Sequence, residues 1–301
     1  MDNHNLITIF TPCYNRASLL PQLYASLVSQ SSHNFEWVIV DDGSTDNSKQ
    51  VIEQFILENK FPIHYHYKPN GGKHTAINVG VNKANGTLFF IVDSDDFLSN
   101  DAVKITNDAF IKIKDNDKIG GIIGLSQFTN GAVVGDNFLH DYWQISFADY
   151  YLKYNLKGDK SVAFKTKIMK EFPFPEKEGV KYVFEAVVWH EMAKKYDVLC
   201  LNDVIQYKEY LDGGLSDSSY KLWYLKSMAF SFFKLIENDT YPIAKYPIHH
   251  KSNFLYLAVN SLLSNENYFW EMKGIKNKMY YIFSLPRACF TYFKLKNKVI
   301  K

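Results

Sequence analysis

The chain has 301 residues, 47% of them hydrophobic, 16% aromatic and 22% charged, with a formal net charge of +2. That length and apolar content suit one large domain, or one domain with an appendage, and exclude a disordered or collagen-like chain. Cys13, Cys200 and Cys289 are odd in number and far apart, so neither a disulfide framework nor a cysteine-rich metal site is expected, and a reducing cytosol is the natural compartment. Asp2, Asn3, His4 and Asn5 precede a very short apolar run, which is not the pattern of a signal peptide, and no stretch is apolar for long enough to predict a spanning helix.

Leu6–Thr11 is a short β-branched run that predicts a buried strand, followed by a helix from about Ala17–Leu19 with Leu19, Leu20, Leu23 and Leu27 at helical spacing. Phe35–Val40 predicts a second strand, closed by the turn-rich Asp41–Ser48, where Asp46 or Asn47 caps the next helix. Ile63–Tyr67 predicts a third strand ending at Pro69-Asn70-Gly71-Gly72. A helix from Lys73 to Ala84 and a fourth strand over Thr87–Val92 follow. Apolar runs alternating with helices predict a parallel α/β sheet covered on both faces, with ligands beyond the carboxyl ends of its strands. Those ends carry Thr11–Arg16, Asp41–Asp46, Pro69–His74 and Asp93–Asp96, which are expected to converge on one crevice.

Further on, Ile119–Ser126 and Gly158–Phe164 predict strands, and Val183–Tyr196 predicts an amphipathic helix after the proline-rich Phe172–Pro175. After Gly213-Gly214 the composition becomes helical and aromatic, with breaks expected near Pro242, Pro247 and Pro286. The expected organisation is an α/β domain over 1–216 and a region of about three helices over 217–301.

Asp93-Ser94-Asp95-Asp96 places three carboxylates directly after a buried strand. They repel one another unless a cation or several donors hold them, and hard oxygen ligands suit Mg²⁺ or Mn²⁺. The plainer alternative is a solvated acidic turn. Asp41-Asp42-Gly43-Ser44 ends the second strand similarly; a carboxylate there can accept from a base N–H or a ribose hydroxyl, or it can belong to an ordinary turn. Tyr14 can stack on a base or be a half-buried tyrosine. Gly71-Gly72-Lys73-His74, just before a helix, suits an anion but lacks the Walker A spacing.

Taken together, Thr11-Pro12-Cys13-Tyr14-Asn15-Arg16, Val40-Asp41-Asp42-Gly43-Ser44-Thr45-Asp46 and Val92-Asp93-Ser94-Asp95-Asp96 resemble the inverting family 2 glycosyltransferases of the GT-A fold, a Rossmann-like sheet here followed by a helical appendage. The match covers about residues 5–215 and is strongest over 5–100. The resemblance implies a UDP-sugar donor. Thr11, Pro12, Arg16 and Asp41 then belong to the donor site, with Tyr14 stacked on uracil and Asp42 bound to the uracil N3–H. Lys73 and Asn78 line the donor cleft. Ser94 belongs to the donor site too, Asp93 faces the ribose and metal side, and Asp95 is the main ligand of a Mn²⁺ or Mg²⁺ ion that bridges the diphosphate. Asn70–Asn78 resembles a subgroup of bacterial surface-polysaccharide transferases, which leaves the role of His74 open.

The general base implied is Glu185, in a position similar to the family's acidic pair, with Ala186 in place of the second acid; Glu176, Glu178 and Glu191 are its rivals. There is no Gln-x-x-Arg-Trp and only Arg16 and Arg287 are arginines, which points to single addition rather than processive synthesis. The acceptor implied is a glycan or a polyprenyl-diphosphate-linked saccharide. Leu211–Ser216 reads equally as a closing loop or as a connector. Two competing readings are nucleotidyl transfer to a sugar phosphate and a nucleotide-sugar-binding protein without turnover.

Residues 272–301 carry eight basic side chains and no acid, while the rest of the chain holds 26 basic and 32 acidic residues. Aromatic residues alternate with those lysines. This favours a membrane surface, with the enzyme cytoplasmic at the inner face of the cytoplasmic membrane, over a helix packed on the main domain. The acidic remainder argues against nucleic acid.

Overall fold

The four leading apolar runs form strands β1 (Ile7–Cys13), β2 (Phe35–Asp41), β3 (Ile63–Tyr67) and β4 (Leu88–Ile91), hydrogen-bonded in parallel in the order β3-β2-β1-β4. Between them run α1 (Leu20–Val28), α2 (Ser48–Glu58) and α3 (Lys73–Lys83). The computed structural model describes residues 6–209 and 220–299; the expected boundary at 216–217 and the segment Leu211–Ser216 lie outside them.

Alternation along the strands splits their side chains between two layers. Ile7, Ile9, Trp37, Ile39, Leu88 and Phe90 share one core with Leu20, Leu23 and Leu27 of α1 and Ile52 and Phe55 of α2. Val103 and Phe110 of α4 (Ala102–Ile113) complete it. Phe10 points to the other layer, where α3 approaches so closely that a Cβ on Gly80 would lie 2.2 Å from its ring. At the amino end of the sheet, the buried Glu36 accepts hydrogen bonds from Thr8 Oγ1 (2.6 Å) and from Asn85 N and Nδ2 (2.7 and 2.8 Å), which fixes the turn into β4.

Beyond β4 the sheet stops being parallel. β8 (Ser161–Lys165) is antiparallel to β4 and to β6 (Ile119–Phe128). β9 (Asp197–Lys208) runs parallel to β6, and antiparallel to β5 (Asp96–Leu98) and β7 (Trp143–Ser146). The result is a nine-stranded mixed sheet, ordered β3-β2-β1-β4-β8-β6-β9-β5 with β7 against β9. The first four strands form the expected parallel sheet, and beyond them parallel and antiparallel pairings mix. Short helices α5 (Phe147–Leu152) and α6 (Thr166–Glu171) flank β8.

Residues 6–173 and 192–209 form one unit, and residues 174–191 and 220–299 a second. In the second, the helix expected over Val183–Tyr196 is cut to α7 (Ala186–Met192). The preceding chain is held extended because Ser227 Oγ accepts the backbone N–H groups of Lys181 and Tyr182, each at 3.2 Å. Ser227 lies on α8 (Leu222–Glu237), followed by α9 (Pro247–Ser264) and α10 (Ile275–Leu295). Pro247 opens α9 in the first turn, where no N–H is needed. Pro286 does not break the chain as expected; it sits inside α10 with its ring exposed.

His190 of α7 is buried, and its Nδ1 pairs with the Tyr241 hydroxyl at 2.5 Å. Burial, assisted by the charge of His249, pushes its pKa from 6.5 down to about 3. Unfolding lets His190 take up a proton near pH 6.5. Its contribution is therefore complete above that pH and is lost as the pH falls towards about 3, by up to about 1.4 kcal/mol per unit. Melting curves from about pH 7 to about pH 4 should show a weaker pH dependence in His190→Gln than in the wild type; parallel slopes would contradict this assignment.

Candidate active site

The strand order reverses between β1 and β4, which opens a crevice beyond the carboxyl ends of the strands. The four segments expected there are cross-linked to one another. Asp42 N donates to Cys13 O at 2.8 Å, tying β2 to β1. The Asp42 carboxylate accepts four hydrogen bonds. Oδ1 takes Gly71 N (2.8 Å) and Lys68 Nζ (2.5 Å), and Oδ2 takes Gly72 N (2.7 Å) and Asn70 Nδ2 (3.2 Å). The loop after β3 is thereby folded onto the end of β2. Gly43 (φ 84°) is required at this contact, since a Cβ there would lie 2.7 Å from Asn70 N. Gly72 adopts φ 100° to turn the chain into α3.

Asp41 is buried and accepts from Ser44 N (2.7 Å) and the Tyr65 hydroxyl (2.8 Å); burial, then Asp41, push the Tyr65 pKa up. On the β1 side, Asn15 takes a left-handed φ of 53°, which asparagine tolerates. Its Oδ1 accepts Thr45 N at 2.8 Å, while Asn15 N and Arg16 N donate to Ser44 Oγ and Ser48 Oγ at 2.9 and 3.0 Å. Asp46 braces the same corner, accepting from Ala17 N and Ser48 N at 3.0 Å each. Burial works against its charge, but the hydrogen bond from Ser48 and those from the backbone hold its pKa below the usual carboxylate value. This clasp leaves Tyr14 at the surface with its ring 47% exposed, enough to receive a flat ligand.

Thr11 is turned inwards instead. Its Oγ1 accepts the Trp37 indole N–H at 2.9 Å in the core, so only its backbone belongs to the crevice wall. Pro12 is half-buried beside it. Burial pushes the neighbouring Cys13 thiol up to about 11, which keeps it protonated.

The acidic turn after β4 is flanked by cations from three elements. Lys73 Nζ, at the start of α3, lies 2.8 and 2.9 Å from the two oxygens of Asp93. Burial opposes the Asp93 charge, but Lys73, Lys208 and Arg16 more than offset it and hold the pKa low. Asp96 is buried and accepts from Gln206 Nε2 (2.5 Å) and Lys208 Nζ (2.7 Å), and Gln206 in turn accepts from Ser161 Oγ. Burial pushes Asp96 up to about 7 against the pull of Lys208, with Asp93 and Asp95 adding to the rise. Ser94 is buried within the turn, and Asn78 and His74 lie on α3, half-buried and buried respectively.

Lys208, Gln206 and Lys68 were not legible in the sequence. Lys208 and Gln206 reach the turn only because β9 pairs with β5, placing Asp96 opposite Lys208. Lys68 lies one residue past β3 with no motif around it.

Among the described residues, no group of three His, Cys, Asp or Glu side chains forms a complete metal cage. The donor set nonetheless fits a Mg²⁺ or Mn²⁺ ion that takes its remaining ligands from phosphate and water. Asp95 is a half-buried hard oxygen donor with no hydrogen bond or ion pair among the described residues, two positions from Asp93.

Glu185 belongs to the second unit, where it starts α7: its carbonyl accepts Val188 N (3.0 Å) and Trp189 N (2.9 Å). Its carboxylate accepts the Tyr182 hydroxyl at 3.3 Å, and Tyr224 stacks on Tyr182 at 5.9 Å. Burial, then the charge of Glu185, raise the Tyr224 pKa. Glu176 and Glu178 are exposed, and Glu191 accepts from Thr240 Oγ1 at 3.3 Å.

Residues 8–170 match the family model described as glycosyl transferase family 2, and the chain belongs to that family. An uncharacterized glycosyltransferase of Haemophilus influenzae is 38% identical over 102 residues, which are 34% of this chain and 41% of that protein. The chain spans less than half the length of the first curated relatives it matches. Among solved structures, S. aureus TarS 1–349 in complex with UDP-GlcNAc superposes with a TM-score of 0.61 at 21% identity, covering 94% of this chain and 80% of that one. The mannosyltransferase PcManGT from Pyrobaculum calidifontis, in complex with GDP-Man and Mn²⁺, gives 0.57 at 16% identity, covering 96% and 86%. Both share the fold.

Asp42→Asn would turn one acceptor oxygen into an amide that faces a backbone N–H donor. Amide exchange at Gly71 or Gly72 should accelerate on the order of 30-fold, as expected for a loss of about 2 kcal/mol from a charge-assisted hydrogen bond. Unchanged protection would show that the loop does not depend on this carboxylate.

Proposed function

We propose that this chain is a metal-dependent, inverting and non-processive glycosyltransferase. It transfers a hexosyl or N-acetylhexosaminyl group from a UDP-sugar to a glycan or a polyprenyl-diphosphate-linked saccharide in bacterial surface polysaccharide biosynthesis. The observation that carries the reading is the acidic turn Asp93–Asp96, set among Lys73, Lys208 and Arg16 across from the loop anchored on Asp42. The bound donor of TarS and the Mn²⁺ of PcManGT support the choice of a nucleotide sugar and a divalent cation.

In this account Tyr14 offers its exposed face to uracil. Asp42 receives the uracil N3–H by giving up a side-chain donor, Lys68 or Asn70, while it keeps Gly71 N and Gly72 N. Pro12, Asp41 and the backbone of Thr11 shape the wall behind the base. Asp93 and Ser94 face the ribose, and Arg16, Lys73 and Asn78 face the diphosphate. Asp95, with Asp93 once Lys73 turns from it to the diphosphate, would hold Mn²⁺ or Mg²⁺, which would supply positive charge for the leaving diphosphate. Glu185 takes the proton from the acceptor hydroxyl as that oxygen bonds to the anomeric carbon. The bond from that carbon to the diphosphate oxygen breaks on the opposite face, and UDP departs with its electron pair. An α-linked donor therefore gives a β-linked product. A polyprenyl-linked acceptor is confined to the inner face of the cytoplasmic membrane, where a cytoplasmic enzyme reaches it. No helix among the described residues is long and apolar enough to cross a membrane.

Release of UDP from a panel of UDP-sugars, followed with and without Mn²⁺, tests the reading. Asp95→Ala should abolish the Mn²⁺-stimulated rate with the fold intact. Glu185→Gln should lower kcat by about 10²- to 10⁴-fold with UDP affinity unchanged. Full turnover in Asp95→Ala refutes the metal assignment, and full turnover in Glu185→Gln moves the base elsewhere. Pyrophosphate release from a nucleoside triphosphate and a sugar phosphate would replace sugar transfer with nucleotidyl transfer.

A further inference from the structure

α10 packs on α9 with its less apolar side. Ser284 Oγ donates to Phe254 O at 3.3 Å, Tyr280 packs against His250 and Phe254, and Tyr281 and Ala288 are buried. The outward side is the apolar one. Ile275, Met279, Ile282, Phe283, Phe290 and Phe293 are 49% to 80% exposed. They follow one another in steps of three, four and seven residues, with Ile282 and Phe283 adjacent, so they fall on one stripe roughly 100° wide. Pro286 lies on the same stripe with its ring exposed.

A surface helix of a globular protein normally turns this stripe to the core. Here it runs the length of a 21-residue helix in the open. Its borders are basic on both sides: Lys276, Arg287 and Lys294 along one edge, Lys278 and Lys296 along the other. Lys294 Nζ lies 4.3 Å from the Phe290 ring centroid and Lys296 Nζ 5.1 Å from that of Phe293, so the charges hug the rings. Lys278 reaches towards Trp270, itself exposed beside the start of the helix.

We propose that the outward face of α10 is a docking surface for an anionic lipid bilayer, on which the helix lies in the interfacial plane with its rings among the headgroups. Charge complementarity selects this occupant. Residues 272–301 carry no acid, so the five basic groups that border the stripe find counter-charges in a film of acidic headgroups. Pairing of the same stripe with a second copy about a two-fold axis would set basic borders against basic borders. The docking needs neither donor nor acceptor and stands apart from the identity of the transferred sugar.

The test is co-sedimentation of the full chain with large vesicles of phosphatidylcholine alone and of phosphatidylcholine with phosphatidylglycerol. The wild type should bind the mixed vesicles, bind the neutral ones weakly, and release as salt rises. Phe283→Ser and Phe290→Ser should each weaken binding about tenfold through lost apolar burial. Lys276→Gln and Lys294→Gln should each cost about fivefold on the anionic vesicles only. All four positions are exposed, and an unchanged melting temperature confirms the fold in each variant. Vesicle binding that is absent in the wild type, or indifferent to the two phenylalanines, overturns the proposal. Sedimentation equilibrium in the same set would reveal the alternative, a dimer broken by Phe283→Ser without any vesicle effect. A UDP-induced rise in melting temperature, retained in the variants, separates failure of this docking from failure of the transferase assignment.

Discussion

The loop between β3 and α3 is folded onto the sheet by the Asp42 carboxylate. Four donors converge on its two oxygens, two of them backbone N–H groups of the loop between β3 and α3. Its own N–H is spent on Cys13 O of the neighbouring strand. Charge-assisted hydrogen bonds of this kind are stronger than neutral ones, and each N–H they satisfy would otherwise be a cost in a half-buried loop. The anchor sets where α3 begins. That in turn sets where Lys73 stands, and Lys73 meets Asp93. The acidic turn is therefore positioned through a chain of contacts that starts one strand away.

A second constraint is electrostatic. Asp93, Asp95 and Asp96 within four residues repel one another, and the fold answers with Lys73 from α3, Lys208 from β9 and Arg16 from the loop after β1. Three cations against three acids leave the region balanced. Among the described residues Asp93 and Asp96 are engaged by lysines while Asp95 has no hydrogen bond or ion pair, so the acids are not equivalent. That division gives a physical reason for treating Asp95 as the metal-side ligand.

The sequence carried the first four strands and their order of appearance, because uninterrupted apolar runs such as Phe35–Val40 can be satisfied only by burial on both faces. It also carried the acid-rich strand ends, whose local spacing is the family's signature. What it could not carry is pairing at long range. β5 is three residues long and exists only as the partner of β9, and β9 begins where a helix was expected to finish. Lys208, 112 residues from Asp96, has no local mark of its role. The sequence marks Asp42 as a candidate ligand-binding acid, but its work in holding the loop depends on Gly71 and Gly72 coming within 2.8 Å. The basic, aromatic character of the last thirty residues was plain in the sequence. That the apolar stripe of α10 faces outwards emerged only once its other side was seen packed on α9.

This crevice is proposed to bind a uridine diphosphate group together with a divalent cation. Thermal unfolding of the full chain against UDP, GDP and CMP, each with and without Mn²⁺, measures it directly, because a ligand that binds only the folded state raises its stability by mass action. With UDP at a hundredfold excess over its Kd and Mn²⁺ present, the melting temperature should rise by about 5 °C or more, and GDP and CMP should do much less. No shift with any uridine nucleotide, or equal shifts with all three, would contradict the assignment of the donor.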